Sequence, residues 1–203
     1  MMSRFVRPFG AKRYGRLYLI AVEGSVTEPG YFDMFDCQTL KVECLRAKGK
    51  SSPPEVLKRM KGRIDRESMR EGDEAWLVVD KDRWTDAQLK ELHDWVVEQT
   101  KKVVKRGLAV SNPKFELWLL LHFEDGARVN TGASCSNALG RYLPGYDKRV
   151  QDGVFTDERI RDAVRRAKER DTPPCRDWPR TTGTTVYRLV ESLIRPPAEV
   201  PAE

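Results

Sequence analysis

Apolar and polar positions alternate between two periods along this chain. Leu17-Tyr18-Leu19-Ile20-Ala21-Val22 is a continuous apolar run of strand length, and Ala75-Trp76-Leu77-Val78-Val79 is a second. Runs of this kind suit strands covered on both faces, as in a parallel sheet. Leu40 to Leu45 alternates apolar and polar residues and predicts a further strand, and Gly107 to Val110 a fourth. Between them lie segments with the helical period. Tyr31, Phe32 and Phe35 give one buried face, with Thr27 as its cap and Pro29 in its first turn. Ser52-Pro53-Pro54-Glu55 reads as a capping box ahead of Val56, Leu57, Met60 and Ile64. Thr85 to Gln88 is another, ahead of Leu89, Leu92 and Val96, with His93 off that stripe and at the surface. Asn112 as cap and Pro113 at the first helical position open a helix through Leu117–Phe123, apolar nearly all round and so deeply buried.

Strand and helix therefore alternate four times, which predicts an α/β fold with a parallel-rich sheet covered by helices on both faces. Residues 124–154 are rich in Gly, Ser, Asn and Pro and read as loops and short helical pieces. Thr156 caps a helix carrying Ile160, Ala163, Val164 and Ala167, whose other face mixes arginines with acids. Val186, Leu189, Val190 and Leu193 mark a C-terminal amphipathic helix. The expected organisation is a basic arm over residues 1–15, an α/β core over 16–123, a loop-rich and helical C-terminal part of the same domain over 124–195, and a tail over 196–203.

The polar positions that matter most are those where the apolar runs stop. The first run ends in Glu23-Gly24, and the second in Asp80-Lys81-Asp82. Side chains alternate along a strand, so Asp80 and Asp82 project to one side if the extended conformation persists. Parallel strands align their C-terminal ends along one edge, where ligands bind. If these two strands are neighbours, Glu23, Asp80 and Asp82 converge. Glu28 and Glu116, each at a predicted helix start, are outer candidates. An oxygen-only set of this kind suits Mg2+ or Mn2+, and Lys81, Arg83 or Lys114 is available for a substrate phosphate. The alternative is that acids follow strands because strand ends face solvent, and at Glu28 that a carboxylate favours a helix N-terminus.

Composition narrows the choice. A formal net charge of +6 in 203 residues permits a polyanionic partner without identifying one. No apolar run approaches the about 18 residues that span a bilayer, and the basic N-terminus lacks a signal-peptide core, so a cytoplasmic location with no membrane association is expected. Cys37, Cys44, Cys135 and Cys175 show no paired spacing, which points to free, partly buried thiols. There is no Gly-rich phosphate loop. His93 and His122 have no adjacent nucleophile, and His122 reads as a packed, hydrogen-bonded residue.

Two acidic strand ends on an alternating α/β background resemble the Toprim domain of topoisomerases, primases and OLD nucleases. More narrowly, Val22-Glu23-Gly24 with Thr27-Glu28-Pro29 and Tyr31-Phe32, Asp80-Lys81-Asp82, Ser111-Asn112-Pro113-Lys114-Phe115-Glu116-Leu117-Trp118, and Thr184 to Val190 resemble the RloB-like family of prokaryotic proteins. The resemblance covers roughly Arg16 to Ile194. It implies a Toprim-like fold, a Mg2+-dependent nuclease site and a role in antiphage defence beside a partner ATPase. Glu23, Asp80 and Asp82 match the Toprim acids, and Glu28 and Glu116 match acidic positions of the narrower family. The target is left open among RNA, tRNA and DNA, as is assembly into a homo-oligomer. The competing reading is a non-catalytic module of the same fold that docks nucleic acid or the ATPase.

Overall fold

The computed structural model describes residues 15–49, 51–66, 69–98, 104–151 and 153–195. The expected basic arm, apart from Gly15, and the expected tail lie outside them. Five strands form one sheet: β1 (Arg16–Val22), β2 (Leu40–Leu45), β3 (Glu74–Asp80), β4 (Lys105–Asn112) and β5 (Gly183–Thr184), in the order β2-β1-β3-β4-β5. The first four are parallel, and β5 pairs antiparallel with β4. The expected mostly parallel α/β fold is therefore present. Seven helices cover the described sheet: α1 (Thr27–Asp33), α2 (Pro53–Ile64), α3 (Asp86–Val97), α4 (Glu116–Leu120), α5 (Gly132–Tyr142), α6 (Asp157–Arg170) and α7 (Val186–Ile194). None of the described helices is long and apolar enough to cross a membrane.

Strand alternation sorts the core into two layers. Tyr18, Ile20, Val22, Trp76 and Val78 face α1 and α4–α7. Leu17, Leu19, Ala21, Ala75, Leu77 and Val79 face α2, α3 and the indole of Trp178. This explains why both apolar runs lack polar residues: each side of the strand has a helix layer to bury against. The chain leaves β1 for β2 on one side and later leaves β3 for β4 on the other. The sheet thus reverses its direction of growth between β1 and β3, and a crevice opens at the C-terminal ends of strands at such a point.

Several local expectations are corrected. Asn112 is not a helix cap, and Pro113 is not at a first helical position. Asn112 stays in β4, its side chain donates to the Pro179 carbonyl, and Pro113 O accepts the Asp82 N–H, so the chain is still pairing with its neighbour there. The helix starts three residues later and spans five residues, Glu116–Leu120. Thr27 is inside α1, which Val26 precedes, and its hydroxyl donates to Lys148 O. Ser52 precedes α2 without a side-chain capping bond, whereas the Thr85–Gln88 box forms as expected. The buried stripe of α3 is Leu89, Leu92 and Trp95, with Val96 only half-buried. His93 is half-buried too, because the segment before β5 folds back and sets Trp178 edge-on against it. Within 124–154 lies a full helix, α5, rather than short pieces. Its Gly, Ser and Asn content disfavours a helix locally, and only Cys135 and Leu139 are buried to anchor it.

Two buried polar groups tie elements together on the α1 and α4–α7 side of the sheet. His122 is 2% exposed; its Nδ1 donates to Trp118 O, so its Nε2 accepts from the Tyr31 hydroxyl at 3.0 Å. Burial pushes this imidazole down to about 3, and it stays neutral, as expected of a packed residue. At the opposite end of the sheet, the Glu74 carboxylate accepts from Trp76 Nε1 at 2.7 Å, from Lys105 Nζ at 3.1 Å and from the Ser192 hydroxyl of α7. All four cysteines are free, Cys135 buried and Cys37 exposed. The arginines of α6 are largely taken up by structure: Arg159, Arg166 and Arg170 donate to the carbonyls of Val154, Leu121 and Asp125.

Glu74→Leu strands the Trp76 indole without its acceptor and leaves the Ser192 hydroxyl only Tyr18 Oη, at 3.0 Å, to bond. Urea unfolding should show a loss of about 2–4 kcal/mol, and a loss below about 0.5 kcal/mol would mean the network does not anchor α7.

Candidate metal centre

At the crevice between β1 and β3 lies a cleft of about 1100 Å³ lined by Glu23, Glu28, Asp80, Asp82 and Glu116, with Arg83, Lys114 and Lys148 also on its wall. The five acids arrive from four elements. Glu23 follows β1, where its N–H prolongs the ladder by donating to Val78 O at 3.1 Å. Asp80 ends β3. The pairing with β4 runs on past it, since Lys81 N–H donates to Ser111 O and Asp82 N–H to Pro113 O. Extended pairing keeps the alternation, so Asp80 and Asp82 line the cleft and Lys81 does not. Glu28 comes from the first turn of α1 and Glu116 from the start of α4.

Three of the carboxylates are held by N–H groups. Glu23 accepts from the Asp80 amide at 3.2 Å and from Trp84 Nε1, 3.0 Å from both of its oxygens. Glu28 accepts from the Gly24 amide at 2.9 Å. Asp80 Oδ1 accepts from the Phe115 amide, just ahead of α4, at 2.8 Å. A Cβ on Gly24 would stand 2.1 Å from Glu28 Oε2, so a larger residue there would displace the Glu28 carboxylate. Burial pushes the Glu23, Glu28 and Asp80 carboxyls above the usual carboxylate range. The neighbouring acids add to it: Asp80 is raised further by Glu28, Glu23, Glu116 and Asp82, Glu28 by Glu116 and Glu23, and Glu23 by Asp82.

Of the three basic candidates for a phosphate, Arg83 and Lys114 are on the cleft wall. Lys114 Nζ donates to Ser136 of α5 at 2.7 Å and lies 3.9 Å from Glu116 Oε2. Lys81 is turned away, its Nζ bonded to Trp84 O at 3.0 Å and paired with Asp86 at 3.1 Å. It holds the turn before α3 and is withdrawn as a candidate for the reaction, the cause being the strand alternation that sends its neighbours inward. Sequence reasoning missed four contributors. Trp84 orients Glu23. Arg59 of α2 ties down the end of β1 through Val22 O at 2.6 Å and also reaches Ser51. The small residues Gly132, Ala133, Ser136 and Gly140 make the α5 wall, and Tyr146 bonds Thr27 at 3.1 Å.

The donor set fits a hard divalent cation in its chemistry: oxygen ligands only and mutually repelling, from buried Glu28 through half-buried Glu23, Asp80 and Glu116 to exposed Asp82, with Gly24 close against one of them. As positioned, no three His, Cys, Asp or Glu side chains among the described residues form a group able to hold an ion, and the N–H donors that fix Glu23, Glu28 and Asp80 individually account for that spread.

The fold and the cleft define a parallel α/β protein with a carboxylate-rich site at the reversal point of its sheet. A family model described as RloB-like protein matches residues 18–193, most of the length, and the chain belongs to that family. No curated protein and no solved structure matches it.

The raised carboxyls set a direction for stability in metal-free buffer. A carboxyl whose folded pKa exceeds its unfolded value, about 3.9 for Asp, binds more protons when folded. Stability is then highest below the unfolded value and falls as pH rises through the folded one. Asp80→Asn keeps an acceptor for the Phe115 amide and removes the buried charge. Its melting temperature at pH 7.5 should exceed that of the unsubstituted protein by several degrees, at about 2–4 °C per kcal/mol for this size, with the gap closing toward pH 4. A lower melting temperature at pH 7.5 would contradict this account of the charge.

Proposed function

We propose that this RloB-like protein is a Toprim-like, metal-dependent nuclease that hydrolyses phosphodiester bonds, an effector of prokaryotic antiphage defence working with an ATPase. The observation that carries the reading is the meeting of five carboxylates from four separate elements in one cleft. Glu23, Asp80 and Asp82 would hold Mg2+ or Mn2+, with Glu28 and Glu116 behind them. Such an ion polarises the phosphate, helps ionise the attacking water and stabilises the departing oxygen. The remaining roles belong to the chain itself. Arg83 and Lys114 attract the anionic backbone toward the acids. The small side chains of α5 leave room for it to approach. A cleft of this size lies at or above the upper end of ordinary small-molecule sites, about 300–1,000 Å³, which favours a polymer.

A second reading has its own support. Glu23, Glu28 and Asp80 already have N–H partners, so the fold does not require an ion. On that reading the protein is a module that docks nucleic acid or the ATPase without cutting. It binds in a salt-sensitive way, and binding survives loss of the acids.

One assay separates them. Single- and double-stranded DNA, RNA and tRNA are incubated with the protein, alone and with any ATPase that co-purifies with it, in Mg2+, Mn2+ or chelator. The nuclease reading expects cleavage that needs the metal and falls at least about 100-fold in Glu23→Ala, Asp80→Ala and Asp82→Ala. Absence of cleavage in every combination, with nucleic-acid binding intact in all three variants, would establish the docking reading instead.

A further inference from the structure

Trp84 has no part in the hydrolysis just described, yet its indole nitrogen is equidistant from the two Glu23 oxygens, at 3.0 Å. A hydrogen so placed is shared between them, on the side where a carboxylate offers both oxygens at once. That is also the side from which it takes a divalent cation with two oxygens. The indole is the fixed member of the pair. Trp84 N–H donates to Lys81 O at 3.2 Å, and its carbonyl accepts Lys81 Nζ. The next residue, Thr85, caps α3, and the ring packs against the α2–α3 core layer. Glu23 follows the last residue of β1 on a side chain with three rotatable bonds, so the carboxylate is the member that can turn.

We propose that Trp84 is a positioning residue that competes with the divalent cation for Glu23. Its N–H holds the carboxylate when no ion is bound, and loading takes Glu23 off the indole. The inference rests on the metal-site reading above. It explains why repelling acids that line one cleft are found apart rather than as a closed cage: a neutral donor occupies the cation's side of Glu23. It also makes the site a weaker binder than its carboxylates alone would be. An additional ligand oxygen, such as a substrate phosphate, then contributes more to loading.

Trp84→Phe keeps a ring in the core and removes the donor. Mn2+ binding to both proteins is measured from the electron paramagnetic resonance signal of the free ion, at one pH and ionic strength. The expected result is a Kd about 10-fold lower in W84F, the scale of one charge-assisted hydrogen bond. In the unsubstituted protein, which has five tryptophans, one indole N–H resonance should shift as Mg2+ is added, and it should be the resonance missing from W84F. Equal or weaker Mn2+ binding by W84F, or indole resonances that Mg2+ leaves in place while Mn2+ binds, overturns the competition and leaves the metal site standing. Absence of Mn2+ binding by both proteins overturns both. Should W84F fail to fold, the indole spectrum of the unsubstituted protein decides alone.

Discussion

Parallel pairing of β1, β3 and β4 puts carboxylates together that would separate in water. The register is fixed by apolar residues on both faces of each strand, and a slip of one residue would turn those faces inside out. The acids at the strand ends must accept wherever that register delivers them. Their repulsion is met by N–H groups from Gly24, Asp80, Phe115 and Trp84, which are supplied by the turns leaving the strands and by the approach to α4. A hydrogen bond to a charged group contributes about 1.5–3 kcal/mol, enough to keep Glu23, Glu28 and Asp80 in place and not enough to abolish the strain among five.

The two ends of the sheet show what this arrangement means. At the end away from the cleft, Glu74 is also a buried acid, but Lys105 supplies a positive partner, and an indole and a hydroxyl complete its shell. That group is satisfied and structural. At the cleft, negative charge accumulates, and the cations on its wall are Arg83, Lys148 and Lys114, the last engaged by Ser136 and loosely paired with Glu116. An interior that leaves like charges facing one another carries a cost the fold has not removed, and sites of chemistry are where such costs are found.

Much of this was legible in the sequence because it follows from period and spacing. The two apolar runs gave two central strands, and the abrupt change from Val22 to Glu23 and from Val79 to Asp80 marked the edge where the cleft lies. Asp80 and Asp82 share a side because alternation continues for two residues beyond the strand. The same rule, applied to Lys81, would have removed it from the candidates. What escaped depends on tertiary contacts. Nothing local distinguishes Trp84 from a core tryptophan, since its partner lies 61 residues earlier. The α5 wall was obscured by its own composition, and α4 began late because Asn112 and Pro113 were still engaged in strand pairing.

The central claim is that these carboxylates are the ligands of one divalent-cation site. Its most direct test is the anomalous difference map of crystals soaked in Mn2+, collected near the manganese absorption edge. The account predicts a peak in the cleft with oxygens of Glu23, Asp80 and Asp82 at about 2.0–2.4 Å and Glu23 withdrawn from the indole. A map with no peak in the cleft at saturating Mn2+, and with Glu23 still bonded to Trp84, would contradict it.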